Sequence, residues 1–298
     1  MGRGIDTIAI GFLDFLWYKV GKATVLNQMI GNLFHRCVPA AHIGYYRRVK
    51  KNQKEVDVVI ELPKEKILIR KGVIIIMSFS KNLKLKANDV WEAAYRHPFV
   101  QELGQGILHM EKFQFYLLQD YLYLLSYAKV FALGAVKSDA EWLILKFTDS
   151  QYNIICSEMN LHRDYMQSFG ISKADIDQVK PALFNRTYTA SMLAEGQIGD
   201  VAAILVAILP CAWSYADFGQ RLAKDYETEL LKNPYKTWID MYASADYYES
   251  FAWMFEALDD LCIGKTTREK ERLEEIFQSG MEFEYLFWEM SYKQNMSY

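Results

Sequence analysis

The chain has 298 residues, 51% hydrophobic and 24% charged, with 15% aromatics but 16 Gly and 6 Pro. This composition supplies a sizeable core and excludes disorder, collagen-like repeats and a loop-rich β-sandwich. The formal net charge of −3 argues against a general electrostatic role on nucleic acid.

Four cysteines, Cys37, Cys156, Cys211 and Cys262, form no CxxC pair. With no secretory signal pattern either, they are expected as reduced thiols of a soluble cytoplasmic protein. Charge is unevenly spread. Residues 1–76 carry thirteen Lys or Arg against six Asp or Glu, a balance of +7, whereas residues 77–298 balance at −10. So sharp a break predicts two segments, a basic one over 1–76 and a body over 77–298.

In the first segment, residues 8–20 are apolar but interrupted by Asp14 and Lys19, too short and too charged to span a bilayer. The cluster Arg47-Arg48-Val49-Lys50-Lys51 is expected as a solvated charge run. Residues 55–62 and 66–76 are rich in β-branched side chains and are expected as strands paired about Leu62-Pro63-Lys64. Codons for Arg70-Lys71-Gly72 can resemble a bacterial ribosome-binding site ahead of Met77. The functional protein is therefore expected to start at Met77, with residues 1–76 as translated upstream sequence.

From Asn88 onward the chain is patterned as helices. Residues 111–137 hold apolar side chains at near-helical spacing, with Gly134 near the end. Residues 139–169 form a second long pattern closed by Gly170, and Ser172-Lys-Ala-Asp175 has capping-box form. Residues 191–223 include the apolar run 201–209, which predicts burial on most sides. Segments 238–242, 244–261 and 266–292 complete the set, the last opened by Thr266-Thr-Arg-Glu269. The body is predicted to be an all-α antiparallel helical bundle.

Bundle sites are built from polar side chains on inward faces. Asp120 lies within Leu117-Leu-Gln-Asp-Tyr-Leu-Tyr-Leu124, where a carboxylate is costly to bury alone, and Tyr123 and Tyr127 share its stripe. Taken singly, it fits an Asp at the solvent margin with Tyr as core filler. Cys211 follows Pro210, which removes a helical hydrogen bond, and Tyr215 lies one turn on. That makes Cys211 a better nucleophile candidate than Cys156 or Cys262. In the last helix Glu284 competes with Glu282 and Glu289, and spacing does not choose among them. Glu158 and His162 have the wrong spacing for a di-iron motif, and no second copy exists, so no metal is expected. His97, before Pro98, is expected as a structural helix-start residue rather than a haem ligand.

These motifs together resemble the TenA (thiaminase II) family. The likeness is carried in order by His97-Pro-Phe-Val-Gln101, Phe115-Tyr-Leu-Leu-Gln-Asp-Tyr-Leu-Tyr123, Ala128-Lys-Val130 and Glu158-Met-Asn-Leu-His162. It continues through Tyr188-Thr-Ala-Ser191, Leu209-Pro-Cys-Ala-Trp-Ser-Tyr215, Trp238-Ile-Asp-Met-Tyr242 and Glu284-Tyr-Leu-Phe-Trp-Glu-Met290. It spans residues 77–298 and none of 1–76.

The resemblance implies a haem-oxygenase-like fold without haem, a homotetramer, and hydrolysis of aminopyrimidines, and of thiamine in many members, for thiamine salvage. By position it implies Cys211 as nucleophile, Glu284 as the acid for the departing amine and then the base toward water, and Asp120 as partner of the ring nitrogen. Tyr123, Tyr188, Tyr215 and Tyr242 would line the pocket. No cofactor is implied, and the partner is the small pyrimidine alone, with no nucleic acid or membrane. Ala212 stands where members often carry a bulky aromatic, and Met241 falls in a variable stretch. The rival class is a non-enzymatic pyrimidine-binding or regulatory protein, and an iron or haem oxygenase on the same bundle is a further one.

Overall fold

The computed structural model describes residues 58–61, 65–70 and 73–297, and the chain divides into two compact units, residues 1–79 and 80–298. The apolar stretch 8–20 and the basic cluster 47–51 lie outside the described residues.

The described part of the first unit is an antiparallel sheet of β1 (Val58–Glu61), β2 (Glu65–Arg70) and β3 (Val73–Ser78), in the order β1-β2-β3. Val58 faces Ile69 across the first pair, and Ile67 faces Ile76 across the second. The expected pairing about residues 62–64 is present. The single strand expected over 66–76 is instead two, since folding the run back on itself pairs backbone groups that a lone strand would leave as an open edge.

From Phe79 on, the regular elements of the described residues are all helical. They are α1 (Phe79–Lys86), α2 (Asn88–Tyr95), α3 (Pro98–Gln105), α4 (Met110–Lys137), α5 (Glu141–Asn153) and α6 (Met159–Ser168). There follow α7 (Lys173–Gln178), α8 (Leu183–Ile198), α9 (Val201–Asp225), α10 (Lys236–Ala243), α11 (Ala245–Leu261) and α12 (Thr267–Lys293).

The two predicted capping boxes are present at Ser172/Asp175 and Thr266/Glu269. The long pattern over 139–169 is interrupted by one π turn, Ile154–Glu158, between α5 and α6. The pattern over 191–223 belongs to two helices. Asp200 accepts the Ala203 N–H at 3.0 Å and so starts α9 afresh after Gly199.

Helix α9 is the hub, packed by α3, α4, α8, α10, α11 and α12. Every side chain from Val201 to Ala212 is buried, as the apolar run predicts. By length and hydropathy α9 is suited to crossing a membrane, yet 89% of its apolar window lies inside the bundle, the signature of a core helix. Pro210 sits within it, donating no N–H to the carbonyl one turn back. Gly280 of α12 lies against that proline: a Cβ there would meet the Pro210 ring at 2.6 Å. His97 caps α3, with Nδ1 accepting the Phe99 N–H at 3.1 Å and Nε2–H donating to Glu289 at 3.0 Å. It is structural, as expected.

The rigid ring opposite Gly280 yields a prediction. Gly280→Val should lower the free energy of unfolding by about 1–3 kcal/mol through overpacking, read from urea denaturation. An unchanged midpoint would mean that the α9–α12 contact is more compliant than the backbone geometry indicates.

Candidate active site

A cavity of about 340 Å³ opens beside the middle of α9. Asp120, Leu124, Tyr127 and Phe131 reach it from α4, and Cys211, Ala212 and Tyr215 from α9. Met241 and Tyr242 of α10, Tyr247 and Phe251 of α11, and Asn153, Ile154 and Glu158 about the π turn complete most of the wall. Periodicity explains the sharing of faces. Asp120, Leu124 and Tyr127 recur at helical spacing, as do Cys211 and Tyr215, so each helix contributes one stripe.

Aromatic edges fix the wall. Tyr242 lies edge-on to Tyr215, centroids 4.8 Å apart, and to Trp238 at 4.6 Å, while Tyr247 closes on Tyr242 at 4.8 Å. Ser244 caps α11 by accepting the Tyr247 N–H at 3.1 Å, and so sets where that ring enters.

Asp120 and Cys211 meet on this wall, together with Tyr215 and Tyr242. Tyr123, Tyr188 and Glu284 do not lie on it. They form a buried layer against Cys211, where Tyr123 hydrogen-bonds the thiol and the Tyr123 and Tyr188 rings pack on Phe287 and Phe283 of α12. Within that layer the Tyr188 hydroxyl donates to Glu284 Oε1 at 2.5 Å, and the Tyr123 hydroxyl lies 3.4 Å from that of Tyr188. Tyr188 is in turn stacked on Phe283, 4.9 Å between centroids.

The structure also chooses among the three carboxylates of α12. Glu282 is exposed, and Glu289 is held by His97 and Lys293. Glu284 alone of the three is buried at this layer.

Removal from water governs the chemistry of these groups. Burial pushes the Glu284 carboxyl up to about 8; the Tyr188 hydrogen bond opposes this and the Asp120 charge adds to it. Burial raises the Cys211 thiol well above its usual range, with the Glu284 charge next in weight and hydrogen bonding from Tyr123 acting against both. At neutral pH the resting site therefore holds a thiol beside a carboxylic acid.

Glu158 and His162, whose spacing rules out a di-iron motif but fits the family pattern, stand beside Asp120. Glu158 lines the cavity, and burial pushes its carboxyl up to about 7, against the charge of His162. His162 Nε2 lies 2.7 Å from Asp120 Oδ2, and its Nδ1 lies 3.1 Å from the Glu158 carbonyl oxygen. The available signal was their separation by one helical turn, which puts both on one face. Tyr247 was missed as well, because nothing in the spacing along α11 ties it to α9. Among the described residues no group of three or more His, Cys, Asp or Glu is placed to hold a metal ion. Ala212 and Met241 both line the cavity, so they shape it.

The TENA/THI-4/PQQC family model matches residues 85–294. The aminopyrimidine aminohydrolase of Helicobacter pylori is 39% identical over 217 residues, 73% of this chain and 100% of that protein. The Bacillus subtilis protein of the same name is 30% identical over 217 residues, 73% of this chain and 91% of its own length. Among solved structures, a TenA family transcription regulator from Silicibacter sp. TM1040 superposes with a TM-score of 0.68 at 29% identity, covering 72% of this chain and 96% of that one. A Shewanella denitrificans domain with a heme oxygenase-like fold gives a TM-score of 0.59 at 16% identity over 72% and 91% of the two chains, a likeness of fold.

The Tyr188–Glu284 bond can be tested alone. Its hydroxyl favours the charged carboxylate, so Tyr188→Phe should move the Glu284 titration above about 8. The carboxylic-acid C=O stretch in difference infrared spectra should then persist to higher pH than in the wild type, and an unmoved band would refute the assignment.

Proposed function

The chain belongs to the TENA/THI-4/PQQC family, and on that premise we propose that it is a cysteine-dependent aminopyrimidine aminohydrolase of the thiaminase II type. Its substrate is an aminomethyl pyrimidine, converted to the hydroxymethyl pyrimidine that thiamine salvage uses. The observation that carries the reading is the meeting of Cys211 and Asp120 on one aromatic-walled cavity, with Glu284 directly behind the thiol.

An aminopyrimidine ring is electron-poor. The sulfur of Cys211 bonds to the carbon of a ring C=N as the nitrogen takes up a proton on the side that Asp120 faces and the thiol gives up its own to solvent. The electron-rich adduct expels its exocyclic amine, which takes the proton of Glu284. The glutamate is then a carboxylate able to take a proton from water as the oxygen bonds to the exocyclic carbon. Reversal of the first step releases the thiol and the aromatic product. A glutamate pushed up to about 8 suits both halves, being protonated at neutral pH yet basic once ionised. A protein that merely held the pyrimidine would need the aromatic wall but neither the thiol nor an acid of this kind.

The same reading takes the protein as cytoplasmic, in keeping with free thiols at Cys156, Cys211 and Cys262. It also takes it as a homotetramer. Supporting this, Trp142, Leu145 and Tyr152 of α5 stand 43%, 54% and 65% exposed, large apolar side chains of the kind that subunit contacts cover.

Incubation of the full chain with 4-amino-5-aminomethyl-2-methylpyrimidine should release ammonia, and pyrimidine binding without ammonia would leave a binding protein instead. Cys211→Ser should abolish turnover while preserving the fold and pyrimidine affinity; near-native turnover would remove the thiol from the mechanism. Glu284→Gln should cost about 10²–10⁴-fold in kcat. In the wild type kcat/KM should fall as pH rises through about 8, where Glu284 loses its proton, and that limb should vanish in the Gln variant.

A further inference from the structure

His162 stands between two acceptors. On one side is the main-chain oxygen of Glu158, 3.1 Å from Nδ1; on the other is Asp120 Oδ2, 2.7 Å from Nε2. A carbonyl oxygen only accepts, so Nδ1 carries hydrogen. A bond of 2.7 Å between Nε2 and a carboxyl oxygen also needs a hydrogen between them. It resides on Nε2, giving imidazolium beside carboxylate, or on Asp120, giving a carboxylic acid beside neutral imidazole. In either arrangement the two side chains together hold one proton more than a carboxylate and a neutral imidazole would.

We propose that His162 is a positioning residue for Asp120 that keeps this extra proton in the bridge, so that an aspartate can supply the proton a pyrimidine ring nitrogen takes up. The surroundings favour retention. Both side chains are nearly dry, at 3% and 6% exposure. Burial alone lowers the affinity of His162 for its second proton, but the Asp120 hydrogen bond and charge, with Glu158, more than offset it and hold the affinity above its usual value. The titratable groups facing the pair are Glu158 from the π turn, Tyr116 from α4, Cys211 and Tyr215 from α9, Tyr242 from α10 and Glu284 from α12. None of these is a cation that would drive the proton out.

The step balances. As sulfur bonds to the ring carbon, the C=N electron pair moves to nitrogen and takes the bridge proton through Asp120, leaving His162 neutral with hydrogen on Nδ1. The thiol proton goes to cavity water. When the product ring regains aromaticity, nitrogen returns its proton to the bridge and the departing sulfur is reprotonated. A lone aspartate with no such store is ionised at neutral pH and is a poor acid. The tautomer, fixed by the Glu158 carbonyl, makes the arrangement one-directional: the mobile proton can lie only on the Asp120 side.

The kinetic consequence rests on the hydrolase reading; the proton count does not. His162→Gln retains an amide donor for Asp120 but stores no proton. It should lower kcat at least about 10²-fold with KM changed less than about 3-fold, and its residual rate should rise as pH falls, since solvent must then protonate Asp120. Wild-type kcat and pH profile in that variant would overturn the proposal and leave His162 a structural spacer. Wild-type protein labelled with 15N-histidine supplies a readout that needs no variant of His162. At neutral pH a far low-field bridge proton should appear, assigned by its loss in Asp120→Asn. A neutral ring with a bare Nε2 and no bridge proton would overturn the proposal whether or not the chain turns over aminopyrimidines. Should wild type release no ammonia while the bridge proton is present, the hydrolase reading fails and the proton count stands.

Discussion

Desolvation is the constraint on which this site depends. Glu284 is buried, its carboxyl is pushed up to about 8, and the Cys211 thiol beside it is raised as well. An exposed glutamate is already ionised at neutral pH, whereas this buried one keeps its proton there, and the thiol beside it is held still more firmly in its protonated form. The aromatic layers around them, Tyr215 with Tyr242 and Trp238 on one side and Tyr188 with Phe283 on the other, keep the local dielectric low. The same dryness strengthens each remaining hydrogen bond, so the single donor from Tyr188 and the single acceptor at Asp120 carry more weight than they would at a surface.

A bundle pays for such a pocket with weakened helices, and the compensations are local. Pro210 removes a hydrogen bond from α9 one residue before the thiol, and Gly280 lets α12 close over the proline ring so that the gap is filled by packing. The π turn between α5 and α6 is the second irregularity. It bears Glu158 at its end, with both the carboxyl on the cavity wall and the carbonyl that orients His162. Both deviations from regular helix lie beside the cavity, where sequence patterning and function pull in different directions.

Part of the candidate site is legible in the sequence, for identifiable reasons. Asp120 draws notice because a carboxylate on an apolar stripe is costly, but taken singly it fits a solvent-margin residue, and its burial comes only with the packed bundle; Cys211 draws notice because proline inside an apolar helix is costly. The choice of Glu284 over Glu282 and Glu289 came from family resemblance, since three carboxylates within eight residues of one helix differ in facing by angles that spacing alone does not rank. Once α12 packs, the three separate into exposed, paired and buried. Tyr123 and Tyr188 stand in the layer between Cys211 and α12, a depth that periodicity does not give, since it fixes a face only. His162 and Glu158 were seen together, yet their purpose was hidden, as their partner Asp120 lies 42 residues away along the chain from His162.

The amino-acid sequence by itself determined the helical body, most of its termini, the burial of α9 and the family, because these follow from local periodicity, capping chemistry and an ordered set of motifs. Tertiary structure decided which groups become neighbours: Glu284 behind Cys211, His162 against Asp120, and Tyr247 across from Tyr242. Proton affinity inside a protein is set by what surrounds a group in three dimensions, and those surroundings come from helices far apart in the chain, whose side chains carry no mark of their eventual neighbours.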